Sequence, residues 1–150
     1  MQSYAWFPGR WACRTATVGA KNGEPAPAKL WVVVDGSQNA VKQYFSMTTA
    51  SGKPYRSDDV LTYEPKLKAF LRRTVDMDGV QTALWAKAPY KPRMDYVGLV
   101  GLQNGVLYRM RATVAIDATR TLMSTTTAFW HADTKSWVAQ TTAACSKITN

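Results

Sequence analysis

The sequence predicts an all-β fold, closed into an antiparallel up-and-down barrel of about ten strands. Three observations lead there. The 150 residues divide into short segments rich in Val, Thr, Tyr, Trp and Phe, parted by Gly, Pro, Asn, Asp and Ser. No stretch of a dozen residues holds a 3.6-residue apolar period. Every connection is too short for a crossover helix, so each strand must pair antiparallel with the next. Ten twisted strands in such a meander leave two raw edges unless the first meets the last, and closure removes both. The length suits one domain, residues 1–150, able to bury roughly 70% of its unfolded surface without help from metals or many disulfides.

The segments follow in order. Arg10 to Val18 is first, before a loop from Gly19 to Pro27. Lys29 to Asp35 is second and ends at Gly36-Ser37-Gln38-Asn39. Ala40 to Thr49 is third, closed by Ser51-Gly52-Lys53-Pro54. Asp59 to Glu64 is fourth, and Pro65 cannot continue it. Ala69 to Asp76 is fifth, turned by Met77-Asp78-Gly79. Val80 to Ala88 is sixth, cut by Pro89. Met94 to Leu102 is seventh; the Gln103-Asn104-Gly105 that follows is the strongest hairpin signal, because Asn and Gly accept the positive φ of a tight turn. Val106 to Ile116 is eighth, Thr121 to His131 ninth and Trp137 to Lys147 tenth.

Alternation assigns the inner face. On the eighth segment Val106, Tyr108, Met110, Ala112, Val114 and Ile116 share one face, against Arg109, Arg111 and Thr113. On the third, Val41, Phe45 and Met47 oppose Lys42, Ser46 and Thr48. On the seventh, Met94, Tyr96, Gly98 and Val100 oppose Asp95, Val97 and Leu99. A ten-strand barrel is wider than an eight-strand one, which already holds a small ligand or just fills, so an interior cavity is expected. Phe45, Met47, Trp85, Tyr96, Tyr108 and Met110 are its candidate lining. Tyr gives an apolar wall with a polar tip, and Met adapts to irregular shapes. On the fifth segment Leu71, Arg73 and Val75 share a face, which aims Arg73 inward, toward Glu64, Asp76 or an acidic ligand. A one-residue slip would reverse that assignment and bring Arg72 in instead.

Lys and Arg number 19 against 10 Asp and Glu, a net charge of +9. The basic residues are spread over Lys66, Lys68, Arg72 and Arg73, over Lys87, Lys91 and Arg93, and over Arg109 with Arg111, without a basic run or tail. That reads as a solvated surface that concentrates anions, and not as a nucleic-acid site. No apolar run of about 18 residues exists, so no transmembrane segment is expected. One His and two distant Cys make no metal site. Neither phosphate-binding glycine motif occurs, and no cofactor is expected. Met1 is followed at once by Gln2, Ser3 and Tyr4, with no basic start or apolar stretch, so no secretory signal is read here. A cytosolic protein and a processed exported one both fit.

Cys13 and Cys145 stand at opposite ends of the chain. In a closed meander the first and last strands lie side by side, and these two positions face each other across the seam. A disulfide is expected there, with two buried free thiols as the alternative; the disulfide points to an oxidising compartment, periplasmic or secreted.

Gly9-x-Trp11, at the start of the first segment, resembles the lipocalin and calycin signature, in which the Trp plugs one barrel end. The wider pattern of Trp11-Ala12-Cys13, then Leu61-Thr62-Tyr63-Glu64-Pro65 with Phe70 to Asp76, then Cys145, is similar to small bacterial exported barrels of the calycin type, mostly of unknown function. The resemblance implies a barrel and export and no particular chemistry. Nitrobindin-like barrels, a haem-binding branch of similar shape, use one His as iron ligand. The single His131 here closes the ninth segment beside a turn, with no motif of that branch around it, and reads as a rim residue.

The expected function is binding of a small hydrophobic or amphipathic ligand, apolar and anionic or not, in an aromatic and Met-lined cavity. Two alternatives stay open. One is an isomerase or cyclase using a buried Tyr or Asp for acid–base work, which requires a titratable group with a displaced pKa inside the barrel. The other is a basic secreted interaction module with a filled barrel. The sequence names no oligomeric partner.

Overall fold

The computed structural model describes residues 7–19, 25–36 and 39–149. Ten strands run in chain order: β1 (Gly9–Thr17), β2 (Ala26–Asp35), β3 (Ala40–Thr48), β4 (Pro54–Glu64), β5 (Ala69–Asp76), β6 (Gln81–Lys87), β7 (Arg93–Gly101), β8 (Leu107–Ile116), β9 (Leu122–His131) and β10 (Ser136–Lys147). Each pairs antiparallel with its sequence neighbours, and β1 pairs with β10 to close the barrel. Among the described residues no helix is long and apolar enough to cross a membrane. Parts of the expected loops, residues 20–24 and 37–38, lie outside the described residues.

Most strand limits fall within a residue or two of expectation, and two do not. β2 begins at Ala26 and so takes in Pro27. Pro27 is registered with Arg14 of β1, whereas the β3 pairing stops at Ala28 with Met47. The chain therefore has a free side there, where no ladder donor is required. β4 begins at Pro54, five residues before the expected start. Its inward residues in that stretch are Tyr55 and Ser57, ahead of Asp59. A strand with polar residues on both faces shows no apolar alternation, so periodicity misses it.

The seam holds the structure's single covalent cross-link. Cys13 is registered directly with Cys145, and the two are bonded. Both are buried, in one apolar cluster with Trp11, Leu30, Val41, Leu61, Leu84 and Met123. Trp11 is 0% exposed, and its indole N–H donates to the Phe7 carbonyl. Phe7 packs at 6.3 Å from it, so these two rings sit together inside one end of the barrel. Tyr63, Phe70 and Tyr90 meet in sequence at the same end, the first contact tilted and the second edge-on.

Two irregularities shape the wall. In β10 the register with β9 slips between Ala139 and Thr141, leaving Gln140 as the extra residue of a bulge. On the cysteine side of the bulge odd-numbered β10 residues face in; beyond it Trp137 pairs with Trp130 and faces out. The second irregularity is Gly98 of β7, opposite Leu84 of β6. A Cβ at Gly98 would stand 1.9 Å from the Ala83 carbonyl oxygen, a backbone atom with nowhere to go.

Two predictions follow from the wall. Reduction of the disulfide, or Cys145→Ser, is expected to lower stability by about 5 kcal/mol, because 132 residues of chain separate the cysteines and the unfolded state is freed. Urea melts with and without reductant test this; identical midpoints would deny the seam its role. Gly98→Ala should cost about 3 kcal/mol, since β6 and β7 must part to admit the methyl group. A thermal midpoint equal to wild type would contradict that.

Candidate functional site

The inward faces of β3, β4, β5 and β7 bring a group of polar side chains together in an otherwise apolar interior. Gln43 of β3 is registered with Asp59 of β4, and Asp59 with Thr74 of β5. Arg72, two residues before Thr74, lies on the same face, and its Nε–H donates to Asp59 Oδ2 at 2.5 Å. Asp59 and Gln43 are the two buried polar residues among those described. Tyr96 of β7 is buried beside them.

These residues border an interior cavity of about 150 Å³. Its polar side is Gln43, Ser57, Asp59, Arg72, Thr74 and Tyr96. The rest of the lining is largely apolar: Leu30, Phe45 and Leu61 on or beside the same strands, and Val114, Met123 and the disulfide across the barrel. Phe45 meets Tyr55 edge-on at 6.2 Å, which fixes the ring as part of the wall.

The charged pair sets the electrostatics. The Asp59 side chain is 6% exposed and Arg72 21% exposed. Arg72 sits inside a closed barrel, so that free surface faces the cavity. Its Nη groups find no acceptor among the described residues. Burial drives the Asp59 carboxyl above the ordinary carboxylate range; the charge and hydrogen bond of Arg72, and the Thr74 hydroxyl, oppose the shift without cancelling it. Asp59 Oδ1 is shielded from solvent and receives no hydrogen bond of proper geometry. Burial works against the Arg72 charge too, but the adjacent carboxylate more than offsets it and keeps the guanidinium protonated. Tyr96 is pushed up to about 12, chiefly by burial, so its phenol keeps its proton at neutral pH.

The candidate residues read from the sequence separate into three groups. Phe45 and Tyr96 line the cavity. Met47 and Met110 pack against the apolar cluster without bordering it. Trp85, Tyr108 and Arg73 lie elsewhere. Trp85 alternates with buried Leu84 and Ala86 and is 38% exposed on the outer wall. Tyr108 stands near the end of the barrel away from Phe7, 39% exposed and stacked on Phe129 at 5.6 Å. Arg73 is exposed, a correction to its expected inward aim. Phe70 and Arg72 carry the inward parity of β5, because β5 is registered so that Asp59 faces Thr74. Leu71, the residue that suggested the opposite parity, is buried but lies outside the interior cluster, across from Trp85. His131 is exposed at the end of β9 and takes no part in the cavity.

Sequence reading missed Gln43, Asp59, Arg72 and Thr74 as site residues. One signal was available: Asp59 and Arg72 are a carboxylate and a guanidinium in adjacent strands joined by a short turn, the spacing at which an inward pair can form.

On the outer wall Arg109 lies over the Trp130 ring at 5.4 Å and the Trp137 ring at 5.7 Å, and Arg111 over Trp137 at 5.0 Å. Neither arginine has a carboxylate partner among the described residues.

No protein-family model matches this chain, and no curated protein matches it. Among solved structures it is similar to the crystal structure of Rv2717c from M. tuberculosis, with a TM-score of 0.74 over 99% of this chain and 96% of that one. The two share 14% sequence identity. The likeness is one of fold.

The buried pair makes a prediction about stability. Arg72→Ala leaves the Asp59 charge without its partner and should cost about 3–5 kcal/mol near neutral pH. In the variant the carboxyl lies still further above its unfolded value. Its stability is then highest below the ordinary carboxylate range and falls as pH rises through the folded-state value. Urea melts at about pH 5 and about pH 8 check this; a deficit no larger at pH 8 than at pH 5 would contradict it.

Proposed function

We propose that the barrel binds a small, mostly apolar molecule that carries one hydrogen-bonding group, and holds it in the interior cavity. The observation that carries this reading is the cavity itself: largely apolar, with a cluster of polar side chains that includes Arg72 Nη groups without an acceptor among the described residues. Small-molecule sites combine an apolar lining with a few convergent polar groups in this way. The volume suits about six to ten non-hydrogen atoms, since an engineered apolar cavity of similar size takes benzene. The Nη groups of Arg72 and the phenol of Tyr96 supply donors to a ligand acceptor. A barrel whose basic exterior alone matters needs no such space, and the cavity weighs against it.

An acid–base enzyme is the second reading, favoured by the raised pKa of Asp59. Two features rank it below the binder. Asp59 Oδ2 is held by Arg72 and Oδ1 is shielded, so neither oxygen reaches a substrate proton without rearrangement. Tyr96, with its pKa near 12, is a weak acid for catalysis at neutral pH. The disulfide supports a place in an oxidising compartment, periplasmic or extracellular.

Native mass spectrometry of protein purified without refolding is expected to show a bound small molecule, or to show uptake of added aromatic fragments of this size. Val114→Trp, which fills the cavity from the β8 side, should abolish that uptake while the disulfide-bonded barrel stays folded by circular dichroism. Equal uptake by wild type and this variant would place binding elsewhere.

A further inference from the structure

Asp59 and Arg72 are the two charged residues that line the cavity. They are bonded to each other, so together they give the cavity lining no net charge. The groups that face Asp59 are Gln43 from β3, Ser57 from β4, Arg72 and Thr74 from β5, Tyr96 from β7, and Tyr90 from the segment before it. Arg72 alone among them is charged at neutral pH. The remaining strands contribute apolar side chains, Thr125 and the disulfide.

We propose that Asp59 is the residue that makes this cavity select uncharged ligands: by neutralising Arg72 it admits a neutral molecule with a carbonyl-type acceptor, and it admits an anion only together with a proton.

The proposal rests on the binding reading above and follows from electrostatics in a closed, weakly polar space. A neutral acceptor, such as an amide or ketone oxygen, takes hydrogen bonds from the free Arg72 Nη groups and leaves the total charge at zero. An anion at the same donors would stand beside the Asp59 carboxylate and leave a net charge of −1 inside the barrel, where charges interact far more strongly than in water. One proton on Asp59 restores neutrality. Oδ1, shielded and without a hydrogen-bond partner, is the oxygen that can take it at least expense to existing contacts. The upward displacement of the Asp59 carboxyl agrees with this. The net charge of +9 attracts anions toward the molecule as a whole; the interior pair then rejects them.

The experiment uses the intact, disulfide-bonded chain and two probes of nearly equal shape, benzamide and benzoate. Calorimetry at about pH 7.5, in two buffers of different ionisation enthalpy, reads affinity and proton uptake together. Wild type is expected to bind benzamide at least tenfold more tightly than benzoate, with no proton taken up. Benzoate binding should take up one proton and weaken about tenfold for each pH unit of increase. Asp59→Asn leaves Arg72 unneutralised. It should raise benzoate affinity relative to benzamide at least tenfold and remove the pH dependence of benzoate binding. A pH dependence that persists in Asp59→Asn would mean that benzoate enters as its own neutral acid, and would overturn the assignment of the proton to Asp59. Should that variant fail to fold, benzenesulfonate, whose acid is far too strong to enter in neutral form, replaces benzoate on wild type: one proton taken up on binding assigns the proton to the protein, and binding with none overturns the proposal. Benzoate binding more tightly than benzamide without proton uptake overturns the proposal and leaves the binding reading standing. Failure of both probes to bind wild type overturns the binding reading and the proposal together.

Discussion

Closure at the seam between β1 and β10 is the constraint on which everything else in this molecule depends. A meander of ten strands has two free edges, and its inner face becomes an interior only when those edges meet. Here they meet in register over Trp11 to Thr17, and the pairing is fixed covalently at Cys13 and Cys145. The disulfide lies in the interior and not on a rim. The residues that tie the barrel shut are thus also part of the cavity wall. Closure places β3, β4 and β5 opposite β8 and β9, so the polar side of the cavity looks across at Val114 and Met123. Without the seam, Asp59 and Arg72 would be a pair on an open sheet in water, where such pairs contribute little.

Enclosure gives that pair its cost and its use. An ion pair removed from water seldom adds net stability over apolar side chains of similar volume. The binding proposed above would give the pair a role in recognition that its contribution to stability does not supply. Arg72 has a fixed fork of donors, and Asp59 occupies one edge of it, leaving the rest directed at a space lined by Phe45, Leu61 and Tyr96. Apolar walls confer affinity, and the few polar groups orient what enters.

The fold was legible because the whole chain repeats it. Ten segments, short connections and the absence of helical periodicity each exclude other architectures, and the cysteines at the two ends agree with closure. The site was less legible, for reasons that can be named. Period-two patterns reveal which face of a strand is apolar, but a cavity with a polar side turns hydrophilic residues inward and blurs the contrast. This happened over the first half of β4, where Tyr55, Ser57 and Asp59 face in and the strand reads as a loop. It happened again on β5, where buried Leu71 suggested the parity that brings Arg73 inside, and the register brings Arg72 inside instead. Trp85 and Tyr108 illustrate a different confusion. Large aromatic residues are read as core, yet on a small barrel several must cover the outer wall or the rim. Phe45 stands on a strand whose apolar residues alternate with polar ones, whereas β7 carries apolar residues on both faces, and alternation alone did not separate Tyr96 from Val97 and Leu99.

The bulge at Gln140 reaches beyond its own strand. Trp11 and Phe7 pack together inside one end of the barrel. By simple alternation from Cys145 the residue at 137 would point into the bore as well. The single extra residue at 140 turns that indole to the outside, where it supports Arg109 and Arg111. One inserted residue thus changes the trade of an aromatic side chain without changing the side chain: what would have been filler becomes a flat platform that carries two cations on the surface.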